Sequence, residues 1–189
     1  MAITRLGPNN STNISGINLT SQVTGTLPTG NGGTGATSFS PGKILQVVSG
    51  SYSGSTTTTS TSYVDTTAGT FSITPSATSS KILVDFGASP HVNTAANGNQ
   101  NIRCFLTIYR DINGGGYSNI GSANGIATER CGDNIASSTQ DGTSRLVVMD
   151  SPSTTSQVNY KMYFKTGGGE VYWNLQTQQH TVTLMEIAG

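Results

Sequence analysis

The sequence predicts an all-β protein: an antiparallel β-sandwich or jelly-roll-like domain over residues 43–189, preceded by an extended, largely non-helical N-terminal region. Three observations lead there. No window combines good helix formers with a 3.6-residue apolar period. Several short segments instead alternate apolar and polar residues with period two and are bounded by Gly, Pro, Asn and Asp, as half-buried strands do. The composition fits the same class. Only 33% of the 189 residues are hydrophobic and 10% charged, while Gly, Ser, Thr and Asn make up close to half. Nine basic and nine acidic residues cancel, whereas disordered chains of low hydrophobicity usually carry high net charge. A neutral, Thr-rich chain with clear apolar strand segments reads as sheets with polar outer faces.

The chain divides into three regions. Residues 1–23 form a polar leader with apolar positions at Ile3, Leu6, Ile14, Ile17, Leu19 and Val23, which fit neither regular period. Residues 24–42 include TGTLPTGNGGTGAT, nearly uncharged, without an aromatic residue and unable to build a core alone. Such a segment is either a solvated linker or is ordered by other chains. Residues 43–189 carry the strands. Ile44–Val48 is a short apolar run, and the low-complexity stretch 51–62 is a loop or a solvent-facing edge strand. Thr70–Thr74 places Phe71 and Ile73 on one face, and Pro75–Ser80 turns the chain. Lys81–Ser89 alternates most clearly, with Ile82, Val84, Phe86 and Ala88 on one side. Ile102–Arg110 follows with Ile102, Cys104, Leu106 and Ile108, and the Asn113-Gly114 pair marks a hairpin turn. Ser144–Met149, Val158–Lys165, Glu170–Leu175 and His180–Ile187 complete the set, with residues 90–101 and 118–143 as long polar loops. The last strand is apolar on both faces, with Val182 and Leu184 on one and Met185 and Ile187 on the other. It should therefore be buried on both, either centrally in a sandwich or against a symmetry axis.

Chemistry is harder to find. Net zero charge without a basic cluster argues against nucleic acid, and no apolar run of about 18 residues spans a membrane. The start MAITRLGPNN lacks the pattern of a secretion signal, so synthesis in a cytoplasm is expected. Sequons at Asn9, Asn10, Asn13 and Asn18 read as chance in an Asn/Ser/Thr-rich leader. Cys104 reads as a buried thiol; whether it pairs with Cys131 is open. His91 and His180 read as rim residues, and no Cys or His pair has zinc spacing. The nine acids are scattered, and no nucleophile or phosphate-loop motif is present. No enzyme, metal or cofactor is expected. Tyr117, Tyr172 and Trp173 are candidates for carbohydrate contact, although a lone tryptophan also serves as a core anchor.

VTGTLPTGNGGTGAT, KILQVV, SYVDTTAGTFSITPSATSSKILV and the ending TVTLMEIAG resemble tailed-bacteriophage virion fibre proteins, in which a GTLPxxNGGTG segment precedes a C-terminal β domain. The resemblance spans most of residues 22–189. It implies a homotrimer, attached to other virion proteins through its N-terminus. The C-terminal β knob would project toward a host-surface glycan or protein. On this view Gly32, Gly33, Met185 and Ile187 line the stem and axis, and Tyr117, Tyr172 and Trp173 face the receptor. The alternative is a capsid-decorating head fibre or cement protein without a receptor role, its leader clamping the shell through Ile3, Leu6, Ile14 and Ile17. A second alternative is a fibre-borne polysaccharide depolymerase.

Overall fold

The computed structural model describes residues 43–93, 102–130 and 139–189, all within one compact unit that runs from Gly42 to Gly189. The leader and the Gly/Thr segment, with Ile3, Leu6, Ile14, Ile17, Gly32 and Gly33, lie outside the described residues, as does Cys131. In chain order the strands are β1 (Ile44–Tyr52), β2 (Thr57–Thr58), β3 (Val64–Asp65), β4 (Phe71–Ile73), β5 (Lys81–Ala88), β6 (His91–Asn93) and β7 (Arg103–Ile112). They continue as β8 (Ser118–Asn119), β9 (Ala127–Arg130), β10 (Thr139–Asp141), β11 (Ser144–Asp150), β12 (Val158–Thr166), β13 (Glu170–Tyr172) and β14 (His180–Ile187).

The strands form a front sheet in the order β1-β14-β5-β11. A back sheet has β3 and β4 on β12, then β7, then β8 and β9. Every pairing is antiparallel. With β3–β4 and β8–β9 each taken as one broken strand, the two main sheets hold eight segments. The front sheet then reads first, eighth, third, sixth, and the back sheet second, seventh, fourth, fifth. That order arises when a long hairpin is rolled up so that its ends pair first with last, and it defines a jelly roll. The expected all-β sandwich is therefore what the chain forms. A short third sheet, β10-β6-β13-β2, grows from strands that run on from the main ones.

Alternation sets which side of each strand faces the interior. Ile82, Val84, Phe86 and Ala88 of β5 are fully buried, and so are Val158, Tyr160, Met162 and Phe164 of β12. Leu106 and Ile108 of β7 and Val182 and Leu184 of β14 fill the space between. Tyr52, Phe71 and Phe86 meet with ring centroids 5.5–5.9 Å apart, joining the two sheets at one edge. Tilted and edge-to-face rings at such distances add to the burial itself. The Asn113-Gly114 turn closes as expected, with positive φ at both residues and Gly115 N donating to Ile112 O at 3.0 Å.

Three sequence expectations change. β1 runs on through Ser49, Gly50 and Ser51 to the buried Tyr52, because the tyrosine anchors a polar stretch on its inner side. The supposed loop 118–143 contributes β8, β9 and β10, held by backbone pairing to β7 and β6, with Ile120, Ile126 and Ala127 packed against the core. His91 is 6% exposed, not a rim residue, and its Nδ1 lies 2.6 Å from Asp141 Oδ1.

Polar groups also cross the interior. Asp150, at the end of β11, is buried and accepts hydrogen bonds from the Tyr160 hydroxyl and from Arg110 Nη1, each at 2.7 Å. Burial, followed by the Asp150 charge, pushes the Tyr160 hydroxyl pKa up. Removing one member of such a set strands the others without partners. Asp150→Ala should therefore lower unfolding stability by about 3 kcal/mol in a denaturant titration, and Asp150→Asn by less. A midpoint unchanged in Asp150→Ala would show that solvent replaces the carboxylate there.

Candidate functional site

The outward sides of the two main sheets differ sharply. On the front sheet, registers place Val47 against Met185, Met185 against Leu83, and Leu83 against Met149. An unbroken apolar row thus crosses all four strands on the solvent side. Val47 is 54% exposed and Met149 48%. Met185 and Leu83, in the middle of the row, are half-buried by their neighbours. Ile187 pairs with Ile44 in the row beyond, where a register shift between Ile44 and Gln46 leaves Ile44 and Leu45 both outside. Val147 adds to the patch from β11. The last strand is thus central and apolar on both sides, but its outer side is covered by nothing within the described residues. Monomeric proteins rarely leave a contiguous apolar face of this kind in water.

The back sheet carries the opposite chemistry. Its outward rows are Lys165 beside Phe105, Tyr163 beside Asp65, and Lys161 beside Tyr109. Tyr109 and Tyr163 stack at 4.0 Å between centroids. Tyr63 meets Tyr109 edge-on at 6.1 Å, and Tyr117 leans on Tyr163 at 6.3 Å. Lys161 Nζ stands 5.1 Å over the Tyr117 ring and bonds Asp65 at 2.8 Å; that hydrogen bond is the main reason its pKa is raised. Lys165 Nζ stands 4.5 Å over Tyr63 and donates to Ala123 O at 2.9 Å. Burial pushes the Tyr63 hydroxyl up to about 12, so it stays protonated through neutral pH.

The loop 121–125 borders this face. It is held by Gly125 N to Ser122 O at 3.0 Å and Ile126 N to Leu106 O at 2.8 Å. Gly125 has φ +83, and a Cβ there would run into the Leu106 carbonyl oxygen, so the loop can pass this close to β7 only with glycine.

A shallow polar depression lies at one end, lined by Ser89, Asp141, Thr143, Asn174, Gln176 and Gln178 among others. Much of its polarity already serves the fold. Asn174 is fully buried and exchanges two hydrogen bonds with the Gln178 backbone, at 2.8 and 3.0 Å. Asp141 holds His91. Among the described residues no three His, Cys, Asp or Glu side chains gather in a metal-binding group.

No protein-family model matches this chain, and no curated protein matches it. Among solved structures it is similar to one of infectious bursal disease virus, Gt strain, at 11% identity and a TM-score of 0.33. The match covers 87% of this chain and 43% of that one, so the chain spans less than half of that neighbour's length.

The predicted contact residues separate. Trp173 is fully buried, 5.8 Å from the Tyr52 ring, and is corrected to a core anchor: β13 turns its odd-numbered positions inward. Tyr172 points the other way, edge-on to His91 at 5.5 Å, with its hydroxyl bonded to Glu170 at 2.8 Å. Tyr117 lies in the tyrosine cluster of the back sheet, far along the chain from Tyr172. Cys104 is a free, fully buried thiol whose pKa burial pushes up to about 12, which makes it a poor nucleophile. Tyr63, Tyr109 and Tyr163 went unrecognised as a group. They come from three separate stretches of sequence, and only strand register brings them together.

Proposed function

We propose that this chain is a structural protein of a tailed-phage virion fibre. In this reading it is a homotrimer whose N-terminal region attaches to the virion and whose jelly-roll knob projects outward to meet the host surface. The observation that carries the reading is the outward apolar row Val47–Met185–Leu83–Met149. A solvated monomer would keep it in contact with water, whereas closed assembly of identical chains buries it without open-ended growth. Met185 and Ile187, assigned to the axis from sequence alone, both lie on this face. The Gly/Thr-rich segment resembling fibre stems supports the same reading from a different part of the chain. Jelly rolls serve many purposes, viral shells and lectins among them, so the face rather than the fold is the argument.

Light scattering coupled to size-exclusion chromatography tests it. A mass of three chains is expected, and a stable monomer at micromolar concentration would sink the proposal. Cryo-microscopy of intact particles then separates a tail position from the alternative of a decoration on the head.

A further inference from the structure

We infer that the outer face of the back sheet binds an acidic polysaccharide. This rests on the reading of the knob as host-facing and gives that contact a place and a ligand class.

Charge is the first reason. The chain is neutral overall, yet Arg103, Lys161 and Lys165 all sit at outward positions of β7 and β12. Among the described residues two carboxylates share the face. Asp65 is engaged by Lys161. Asp111 is buried, held by Asn159 Nδ2 and by the backbone N–H groups of Gly116 and Gly114, and these bonds, Asn159's foremost, keep its pKa low against the effect of burial. Among the described residues, Arg103 and Lys165 therefore face outward without a carboxylate partner, while Lys161 and both acids are already engaged. A neutral protein has no general attraction for polyanions, so any such binding must be local.

Hydroxyl donors are the second reason. The phenol groups of Tyr109, Tyr117 and Tyr163 make ring contacts, but no hydrogen bond to their hydroxyls is found among the described residues. Clustered phenols beside ammonium and guanidinium groups suit a polymer that alternates hydroxyls with carboxylates. Extent is the third. From Arg103 to Tyr109 the strand runs about 20 Å, enough for an extended oligosaccharide.

Single-stranded nucleic acid would prefer open ring faces on which bases stack. Here Tyr109 and Tyr163 cover each other, and lysines cap Tyr63 and Tyr117.

The test is titration calorimetry of the full-length chain with polygalacturonate, neutral dextran and an oligothymidylate, at several salt concentrations. Polygalacturonate should bind and dextran should not. Arg103→Gln with Lys165→Gln, and separately Tyr117→Ala, should each weaken binding by about tenfold, while Tyr117→Phe should weaken it less than Tyr117→Ala does. Raising salt from about 0.05 to about 0.5 M should weaken it as well. The inference is overturned by variants that bind as the wild type does, by equal binding of dextran, by oligothymidylate binding as tightly, or by salt-independent binding. The salt series needs no variant, so misfolding cannot mask the result. Light scattering on the same sample keeps the two readings apart. A monomer that binds polygalacturonate removes the fibre reading alone, and a trimer that does not bind removes this inference alone.

Discussion

Glu186→Ala should destabilise the knob by about 3 kcal/mol, a loss as large as that expected for Asp150→Ala. Glu186 lies on the inner side of β14, 1% exposed, among the apolar residues of the front sheet. One carboxylate oxygen accepts from Ser76 N and Ser76 Oγ, both at 2.6 Å, and from Ser80 Oγ at 2.7 Å. The other accepts from Gln46 Nε2 at 2.7 Å. One side chain thereby ties the 76–80 turn, β1 and the last strand together. Its removal leaves a cavity and several donors without an acceptor, and each buried orphan costs about 1–3 kcal/mol.

Acidity should act on the same group. Burial raises its pKa, but the bonds from the Ser76 and Ser80 side chains, Ser76 N and Gln46 outweigh that and hold it at about 2, below the ordinary 4.5. Between those values the unfolded chain binds a proton that the folded one refuses. The contribution is therefore complete above about pH 4.5 and is lost as pH falls toward 2. Urea titrations at several pH values should show the wild type weakening across that window and Glu186→Gln weakening less. A Glu186→Ala midpoint matching the wild type at pH 7 would refute the account.

Met185→Asp should convert the assembled protein to single chains. In the isolated domain this outward position is half-buried on the front sheet, so a carboxylate there is tolerated by the fold. Between copies it would be desolvated without a cation beside it, since its cross-strand neighbours are Val47 and Leu83. Stranding a charge in that way costs several kcal/mol per interface, and in a closed ring every interface suffers at once. Light scattering should report one chain while circular dichroism keeps the β signature of the wild type. A Met185→Asp protein that remains assembled, with its thermal midpoint unchanged, would mean that the front face is not where copies meet.

The strands that can be read from the sequence are those with one dry and one wet side. Lys81–Ala88 and Val158–Thr166 alternate because each sheet buries a single face, and their bounds need only small adjustment. β8, β9 and β10 escape notice because they are held by backbone bonds, which leave no apolar period. Glu186 and Asp150 look like surface acids because their partners lie on other strands and turns; Ser76 and Ser80 are 110 and 106 residues from Glu186, and Tyr160 and Arg110 reach Asp150 from the back sheet. Trp173 misleads for a related reason. Composition shows that it is the chain's one tryptophan, but only pairing of β13 with β6 shows which way it faces. Met185 and Ile187 stand out early because β14 is apolar on both sides. Leu83, Val47 and Met149 join them only through register, as the tyrosines do on the back sheet.

The first and last strands lie side by side. Ile44 pairs with Ile187, and Ala188 N donates to Lys43 O at 2.7 Å. Entry and exit of the knob therefore share one corner, so the domain is nearly a closed ring of chain, lacking a single short bridge. Such a layout suits circular permutation: new ends could be opened at the exposed Asn113–Gly116 turn while a few residues join the old ones. It also suits insertion, because a host chain interrupted by this domain would resume almost where it left off.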